Sequence, residues 1–406
     1  MTAFDSSPTL YVWRALLALA VVFVLLATTG WTAVRHQRSP GEPRQAALAA
    51  WEKDRIGARA LPDPESPPTL LARFFASIGA RSAAGLAERH PLVVGNLNGA
   101  PVTLRYRANR TALTQARQVE AWRMGDTRLS EDGRREAGRR MHRFESLLRP
   151  GRQILAFDPT GKGRAAEVLG DLDRAQRVSV IVPGVDTTLL TFERTERKFT
   201  APAGMAESLY AAERAAAPRT RTAVIAWADY TSPAGVGLDA STGRLATSGA
   251  ERLVDMTGAL PGAARVSLFC HSYGSVVCGV AARELPDRVG DLAVAGSPGM
   301  RVESAAQLRT DARVWAMRDG DDWIQDVPYL EVGGLGHGAD PMTPAFGARV
   351  LSAAGAVGHT GYFEPGTESL RNFAEIGVGS YRTVTCADGN GACHTGIDGT
   401  EAASAA

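Results

Sequence analysis

The 406-residue sequence predicts an α/β fold with a mainly parallel, doubly wound sheet. Strongly apolar strands such as Arg177–Val182 alternate with helical segments, as parallel strands covered on both faces do. Polar turns follow these strands, so they should gather at the edge where such sheets bind ligands. Hydrophobic residues make up 45% of the chain and charged residues 22%, which is ordinary for a globular protein. The net charge of +2 gives no reason to expect a nucleic-acid partner.

Residues 1–38 are predicted to form a short tail and a membrane anchor. Residues 15–34 carry no charge and are mostly Leu, Val and Ala, and a stretch of this length can span a bilayer as a helix. Trp13 and Trp31 lie near its two ends, where interfacial aromatic residues belong. A cleaved signal peptide is the alternative, but few charges precede the apolar run and no Ala-x-Ala site directly follows it. We therefore expect an uncleaved, single-pass anchor in the cell membrane.

The orientation of this anchor has two opposing signals. Arg35 and two further arginines follow the apolar run while only Arg14 precedes it, which by the positive-inside rule would place the body of the protein in the cytoplasm. Cys386 and Cys393, by contrast, have the short spacing of a local disulfide, which forms in an oxidising compartment. On this ground we expect an extracytoplasmic body.

The rest of the chain divides into four parts by composition. Residues 39–68 are proline-rich and are predicted to be a juxtamembrane linker with a helical piece inside it. Residues 69–150 are predicted to form a helical extension, and Ser130 is placed to cap one of its helices. Residues 151–380 hold the predicted sheet domain. Residues 381–406 are rich in Gly, Ala and Asp without periodicity, so they are expected to be a flexible tail.

Within the sheet domain, strands and helices alternate in a regular order. The predicted strands are residues 153–157, 177–182, 222–227, the stretch that ends at Cys270, 291–295 and 312–317. The predicted helices lie within 199–217 and over 250–260, 276–282 and 366–376.

One of these strands leads directly into a sharp polar turn with a serine at its apex. Strand, Cys270-His271-Ser272-Tyr273-Gly274 and helix together form the pattern of a nucleophile elbow, which lifts a serine hydroxyl above the sheet. Gly274 is required because the helix must begin close against the strand. Cys270 occupies the place where a glycine is usual. Cys270 and Cys278 are expected to be buried free thiols, and without a Cys-x-x-Cys pair a zinc cluster is not expected.

A serine needs a base to take its proton, and the base needs an acid to orient it. In a strand–turn–helix fold of this kind the acid and then the histidine follow the serine along the chain. Asp322 is the predicted acid, because it comes after a strand and two residues before an aliphatic side chain; Asp321 is the alternative.

Three later histidines compete for the role of base. His359 is the predicted base because it lies on the last loop before the final helix, and His337 is the alternative. His394 lies in the predicted tail. His271, in the variable position of the elbow, is expected to pack rather than react.

Two backbone N–H groups should meet a developing oxyanion. One is that of Tyr273, directly after the nucleophile. The other is that of Val185, in the Pro-Gly turn that follows the strand Arg177–Val182.

Taken together, these motifs resemble an uncharacterised bacterial branch of the α/β-hydrolase superfamily, a domain of unknown function with a predicted serine triad. The resemblance spans roughly residues 85–378 and is carried by residues 94–101, Asn109, Arg110, 151–158, 182–184, 270–275, 295–299, 337–341 and 358–363. It implies the α/β-hydrolase fold and a triad of Ser272, Asp322 and His359. Cys270, and Trp323 where proline commonly follows the acid, depart from the family pattern.

The expected function is that of a membrane-anchored serine hydrolase, esterase- or lipase-like, that cleaves a carboxylic ester or related acyl bond through an acyl-enzyme. The alternatives are a catalytically inactive hydrolase fold that serves as a binding module, and an acyltransferase. The expected partners are a small-molecule or lipid-like acyl substrate and the membrane. No metal or organic cofactor is implied.

Overall fold

A computed structural model of the protein describes residues 43–387 and 391–397. Within these ranges, no helix is both long and apolar enough to cross a bilayer. The anchor predicted at residues 15–34 and the first residues of the predicted linker lie outside the described residues.

The sheet domain is built on eight strands. They are β3 (Gln153–Asp158), β4 (Arg164–Gly170), β5 (Arg177–Val182), β6 (Thr222–Ala228), β7 (Arg265–His271), β8 (Val289–Ala295), β9 (Arg313–Met317) and β12 (Arg349–Val350). Their order across the sheet is β12-β9-β8-β7-β5-β6-β4-β3. Among these strands β4 runs against its neighbours on both sides, and every other neighbouring pair is parallel.

The strand order places a crevice at the centre of the sheet. β6 follows β5 on one side, whereas β7 pairs with β5 on the other side, in register from Arg177 opposite Arg265 to Val182 opposite Cys270. The chain therefore leaves the carboxyl ends of β5 and β7 in opposite directions. Such a switch point is where doubly wound sheets bind ligands.

Helices cover both faces of the sheet. They are α6 (Pro202–Ala216), α8 (Arg244–Gly258), α9 (Gly274–Ala281) and α10 (Glu368–Val378), whereas the short helix α7 (Leu238–Ser241) has no buried residue. Alternate side chains of β6 belong to two different apolar clusters. One cluster contains α8 and α9, and the other contains α6 and α10. The predicted doubly wound, mainly parallel sheet is confirmed.

The helical extension lies before the sheet. Its elements are α1 (Pro43–Lys53), the hairpin β1 (Arg55–Ile56) and β2 (Arg59–Ala60), α2 (Pro68–Arg89), α3 (Pro91–Val94), α4 (Val102–Met124) and α5 (Glu131–Leu147). Ser130 caps α5 by accepting a hydrogen bond from the Gly133 N–H. Part of the predicted linker is thus regular structure, and the indole of Trp51, buried in α1, donates to Pro62 O at 2.7 Å.

The buried Asn109 and the half-buried Asn96 connect this extension to the edge strand β3. Asn109 donates to Gly95 O and to Ile154 O, each at 2.9 Å. Asn96 accepts from the Phe157 N–H at 3.0 Å and donates to Phe157 O at 2.8 Å. Among the described residues no further strand pairs with β3, and these amides satisfy some of its free backbone groups. Asn96 and Asn109, which lie among the residues that carry the family resemblance, therefore have a structural role.

Residues 381–387 and 391–397, expected in a flexible tail, pack against the edge of the sheet. Cys386 and Cys393 form the predicted disulfide, and Leu351, just after β12, pairs with Cys386 in a β-bridge. Val384, Cys386 and Cys393 are buried. The ordering comes from long-range pairing and a cross-link, which a local composition bias does not reveal.

Candidate active site

The elbow has the geometry that its sequence predicts. β7 ends at His271, Ser272 has a φ of +55°, and α9 begins at Gly274. The Ser272 N–H donates to Ala295 O at 3.0 Å, which fixes the turn to the neighbouring strand. A methyl group on Gly274 would lie 2.1 Å from Val182 O, so only glycine fits there.

Cys270 and Cys278 are not the free thiols that the sequence suggested. They form a disulfide with a Cα–Cα distance of 6.5 Å, between the end of β7 and the first turns of α9. The elbow turns the chain back on itself, so residues eight apart in sequence face each other. The cysteine in the usual glycine position therefore cross-links the strand and helix that carry Ser272.

Three side chains from distant parts of the chain form one hydrogen-bonded row. His359 Nε2 lies 2.8 Å from Ser272 Oγ, and His359 Nδ1 lies 2.8 Å from Asp322 Oδ1. A carboxylate only accepts, so Nδ1 carries the proton and Nε2 is left to accept from the serine hydroxyl. The structure thus brings together the serine, acid and base named from the sequence.

Asp322 is fully buried, but each of its oxygens accepts a hydrogen bond. Oδ1 accepts from His359 and from the Ile324 N–H at 2.9 Å, and Oδ2 accepts from the Tyr362 hydroxyl at 2.5 Å. Burial alone would raise the pKa of Asp322, but the hydrogen bonds from His359, Tyr362 and Ile324 outweigh it and hold the pKa below its usual value. The carboxylate is therefore ionised when it faces the imidazole.

The neighbouring carboxylates have other roles. Asp321, the alternative acid, is exposed and does not contact His359 in the row described above. Asp319 accepts from the Gly358 N–H at 2.8 Å, and its own N–H donates to the Tyr362 hydroxyl at 3.1 Å. Asp319 thereby joins the loop of the acid to the loop of the base.

A close glycine contact explains the motif at residues 295–299. Gly296 has a φ of +55°, and a methyl group on it would lie 2.8 Å from Asp322 Oδ2 and 3.1 Å from His359 Nδ1. A side chain at position 296 would clash with both Asp322 and His359 and push them apart. Glycine at this position therefore allows these two side chains to make contact.

His337, the alternative base, is used elsewhere. Its Nε2 lies 2.7 Å from Ala240 O, and because a carbonyl can only accept, Nε2 donates its proton there. Burial lowers the pKa of His337, so this imidazole is held neutral. His394 bonds to Val384 O at 3.0 Å and takes no part in the row.

The side chain of His271 contacts the backbone carbonyl of His359, the predicted base. Its Nε2 lies 2.6 Å from His359 O and donates to it, and its ring lies 5.0 Å from the His359 ring. Burial, followed by repulsion from His359, lowers the pKa of His271 to about 3. A neutral His271 therefore connects the elbow directly to the His359 loop.

The turn after β5 lies against the nucleophile. A methyl group on Gly184 would lie 2.6 Å from Ser272 Cβ, and the buried Tyr230 hydroxyl holds the turn by donating to Pro183 O at 2.5 Å. The next residue, Val185, lines a cavity of about 710 Å³ together with Ser272 and Tyr273. The two backbone positions named for an oxyanion hole therefore border the same space as the serine.

Sequence reasoning missed several residues of this site. Tyr362, whose hydroxyl donates to Asp322, lies three positions after His359. It belongs to residues 358–363, which carry the family resemblance, and this position was the signal that could have identified it. Trp323, whose ring lies 4.7 Å from that of His359, was noted only as a departure from the family pattern. Tyr230 follows a strand, but no sequence pattern links it to the Pro-Gly turn.

One group of potential metal ligands occurs among the described residues. Atoms of Cys386, Cys393 and His394 lie within 4.8 Å of one another. The two sulfurs are joined in a disulfide, and it is the thiolate that binds metal, so this group does not fit a metal ion.

Comparison with known proteins agrees with the fold. A family model described as alpha/beta hydrolase matches residues 158–332. This segment is therefore similar to the α/β-hydrolase family. It contains the elbow and the predicted acid, while His359 lies beyond it.

Two uncharacterised proteins of Mycobacterium tuberculosis, from strains CDC 1551 / Oshkosh and H37Rv, are each 28% identical to this protein over 79% of its chain. The chain spans 57% of the length of these relatives.

Solved structures with detectable likeness include two hydrolases. One is a dienelactone hydrolase from Anabaena variabilis, 16% identical over 55% of this chain and 93% of its own, with a TM-score of 0.33. The other is 2,6-dihydroxy-pseudo-oxynicotine hydrolase, 11% identical over 77% of this chain and 93% of its own, with a TM-score of 0.34.

Proposed function

We propose that the protein is a serine hydrolase that cleaves a carboxylic ester or related acyl bond through an acyl-enzyme. The observation that carries the proposal is the row from Ser272 Oγ through His359 to the buried carboxylate of Asp322, with both contacts at 2.8 Å. A neutral imidazole between a hydroxyl and a carboxylate is the arrangement that activates a serine.

In the first half of the reaction Ser272 Oγ attacks the acyl carbon while His359 Nε2 takes its proton. Asp322 holds the imidazole in the correct tautomer and stabilises the imidazolium that forms. The N–H groups of Val185 and Tyr273 stabilise the oxyanion, and His359 then protonates the leaving alcohol. In the second half, His359 takes a proton from water as the water attacks the acyl carbon. The bond from that carbon to Ser272 Oγ then breaks, His359 returns the proton to Oγ, and the carboxylic acid leaves.

The proposal is tested by labelling with a small fluorophosphonate probe, which phosphonylates an activated serine. The wild-type protein should be labelled and Ser272→Ala should not. Ser275→Ala is the matched control, because Ser275 lies in the same elbow but its hydroxyl donates to Cys270 O at 3.2 Å. Labelling that persists in Ser272→Ala, or folded wild-type protein that resists the probe, contradicts the proposal; the second result favours an inactive binding module.

Transfer of the acyl group to an alcohol is the third possibility, and it shares the first half of the reaction. Adding a nucleophilic alcohol to the assay separates the two, because hydrolysis gives the free acid while transfer gives a new ester. We expect the free acid as the main product at low alcohol concentration.

We further propose that residues 15–34 anchor the protein and that the hydrolase domain is extracytoplasmic. The Cys270–Cys278 and Cys386–Cys393 disulfides support this orientation, since disulfides persist in oxidising compartments. A phosphatase reporter fused after Ala406, active only outside the cytoplasm, should be active. Activity solely from a reporter that works in the cytoplasm would overturn the orientation.

A further inference from the structure

The cavity beside Ser272 is bounded by two short segments, residues 236–241 and 330–336, which we call the roof. The second segment contains the hairpin of β10 (Glu331–Val332) and β11 (Leu335–Gly336). The cavity measures about 710 Å³, within the range of small-molecule sites.

Exposed aliphatic side chains are concentrated on this roof. Across the described residues, eleven large hydrophobic side chains are exposed, and six of them line this one cavity. They are Val236, Leu238, Trp323, Leu330, Val332 and Leu335. Single exposed hydrophobic residues are normal, whereas a cluster around a concave site indicates binding. The same cavity wall includes Ser272, so a group bound in this cavity would lie next to Ser272.

The roof is an ordered frame. Thr242 pairs with Leu335 in an antiparallel bridge, which joins the two segments. His337 donates to Ala240 O at 2.7 Å, and Arg301 donates to Gly336 O at 2.9 Å while pairing with Glu331 at 2.7 Å. These bonds connect the two segments to each other and to Arg301, and the aliphatic side chains of both segments line the cavity.

The chemistry of the wall narrows the class of ligand. The described residues that line the cavity include no charged side chain. Besides Ser272, the lining includes the polar side chains of Ser241, Tyr273 and His337. The two hydroxyls and His337 Nε2 already donate to backbone carbonyls, so among these three side chains only His337 Nδ1, a buried acceptor, is without a partner. A phosphate or a carboxylate would lose its hydration there and meet no charged side chain that compensates for the loss.

We infer that the substrate is an ester with a long aliphatic chain, and that this chain lies under the roof when the acyl carbon is at Ser272. The inference rests on the proposed function and adds the substrate class. Val332 and Leu238, on the two segments of the roof, are assigned as residues that determine preference for chain length. Each buried methylene is worth about fourfold in binding, which sets the upper limit of the effect per carbon.

The test measures kcat/KM of the full-length protein for two series of esters. One series varies the acyl group from acetate to octanoate on a constant p-nitrophenol, and the other varies the alcohol on a constant acetate. We expect kcat/KM to rise in one series about two- to fourfold per methylene until the cavity is filled. The two series separate an acyl chain from an alcohol chain under the same roof.

Substitutions on the roof should remove this rise. Val332→Asp and Leu238→Asp should each lower the ratio of kcat/KM for the longest to the shortest ester at least tenfold. Val332→Thr keeps the shape of the side chain and should lower the ratio by a smaller factor. This uncharged variant tests the roof even if the charged variants misfold. Val119→Asp is the matched control, because Val119 is exposed on α4 outside the cavity, and its ratio should equal that of the wild type.

Fluorophosphonate labelling of the same proteins reports the serine chemistry separately. If Ser272 is labelled but kcat/KM is flat or falls in both series, the inference is overturned while the proposed function stands. An equal loss of the ratio in Val119→Asp and Val332→Asp also overturns it, because the effect would not belong to the roof. If Ser272 is not labelled in folded wild-type protein, the proposed function itself fails.

Discussion

The catalytic edge of the sheet and the roof above it are built by different means. At the edge, Ser272, Asp322 and His359 are 5%, 0% and 12% exposed, and their positions follow from hydrogen bonds of defined length. On the roof, Leu238 and Val332 are 71% and 69% exposed, and they offer only apolar surface. Hydrogen bonds are directional, so they fix the position of a side-chain atom. Apolar surface binds larger apolar groups more strongly but has little directional preference. Under the proposed function, reaction and substrate preference would therefore be encoded in separate parts of the molecule.

Each region nevertheless depends on a buried, neutral histidine. His271 donates to His359 O at the catalytic edge, and His337 donates to Ala240 O below the roof. Burial lowers the pKa of both imidazoles. The same type of bond should therefore have different consequences in the two regions, and substitutions that break one bond at a time test this comparison.

The largest effect is expected from the acid of the catalytic edge. Asp322→Asn should lower kcat/KM about 10³- to 10⁴-fold, because an amide in place of the carboxylate favours the wrong tautomer of His359. Steady-state kinetics on a short p-nitrophenyl ester measures the loss. Asp321→Asn is the matched control one residue away, and it should stay within about twofold of the wild type because its side chain is exposed.

The reverse pattern, with a large loss in Asp321→Asn and a small loss in Asp322→Asn, would contradict the assignment of the acid. Circular dichroism of both variants separates lost chemistry from lost folding, since Asp322 also accepts bonds from Ile324 and Tyr362.

Much of the fold could be predicted because its strands are continuous apolar runs. β5, β6 and β8 appear in the sequence almost at their structural bounds. β4 was missed because Arg164 and Glu167 interrupt its pattern; in the structure these charges pair with Asp158 and Arg152. Local hydrophobicity cannot anticipate a partner that the fold brings near.

The site divides in the same way. Ser272, Asp322 and His359 could be proposed from sequence because a strand, a turn and the order along the chain constrain each of them. The Cys270–Cys278 disulfide, and the bond from Tyr362 to Asp322, depend on how the elbow and two loops turn in space. Residues without a fixed spacing from a motif give no signal until the backbone is known.

An intermediate effect is expected from His271, which acts as a positioning residue. His271→Leu should lower kcat about 10- to 100-fold with a smaller change in KM, because the His359 loop loses its bond to the elbow and the base shifts. His271→Gln should recover much of kcat, since its amide nitrogen can donate to the same carbonyl. Equal kcat values in the two variants would reduce His271 to a packing role.

The low pKa of His271 also gives the same substitution a signature in stability. The pKa of His271 is about 3 in the folded protein, whereas an unperturbed histidine, as in the unfolded chain, has a pKa of 6.5. Between these two values the unfolded chain binds a proton at His271 and the folded chain does not. The contribution of the neutral His271 to the free energy of unfolding is complete above pH 6.5 and is lost as the pH falls towards 3. Thermal melts across this range should show a shallower loss of stability in His271→Gln than in the wild type.

The smallest effect is expected below the roof, at His337. His337→Leu removes the bond to Ala240 O, which is worth about two- to tenfold in a binding constant, so KM for a long-chain ester should rise by about that factor. Because the bond holds the roof and not the base, kcat should change less than KM, the opposite of the result at His271. His337→Gln should restore KM by donating to the same carbonyl. If His337→Leu instead lowered kcat as His271→Leu does, the roof would take part in positioning the base, and the separation of reaction from substrate preference would fail.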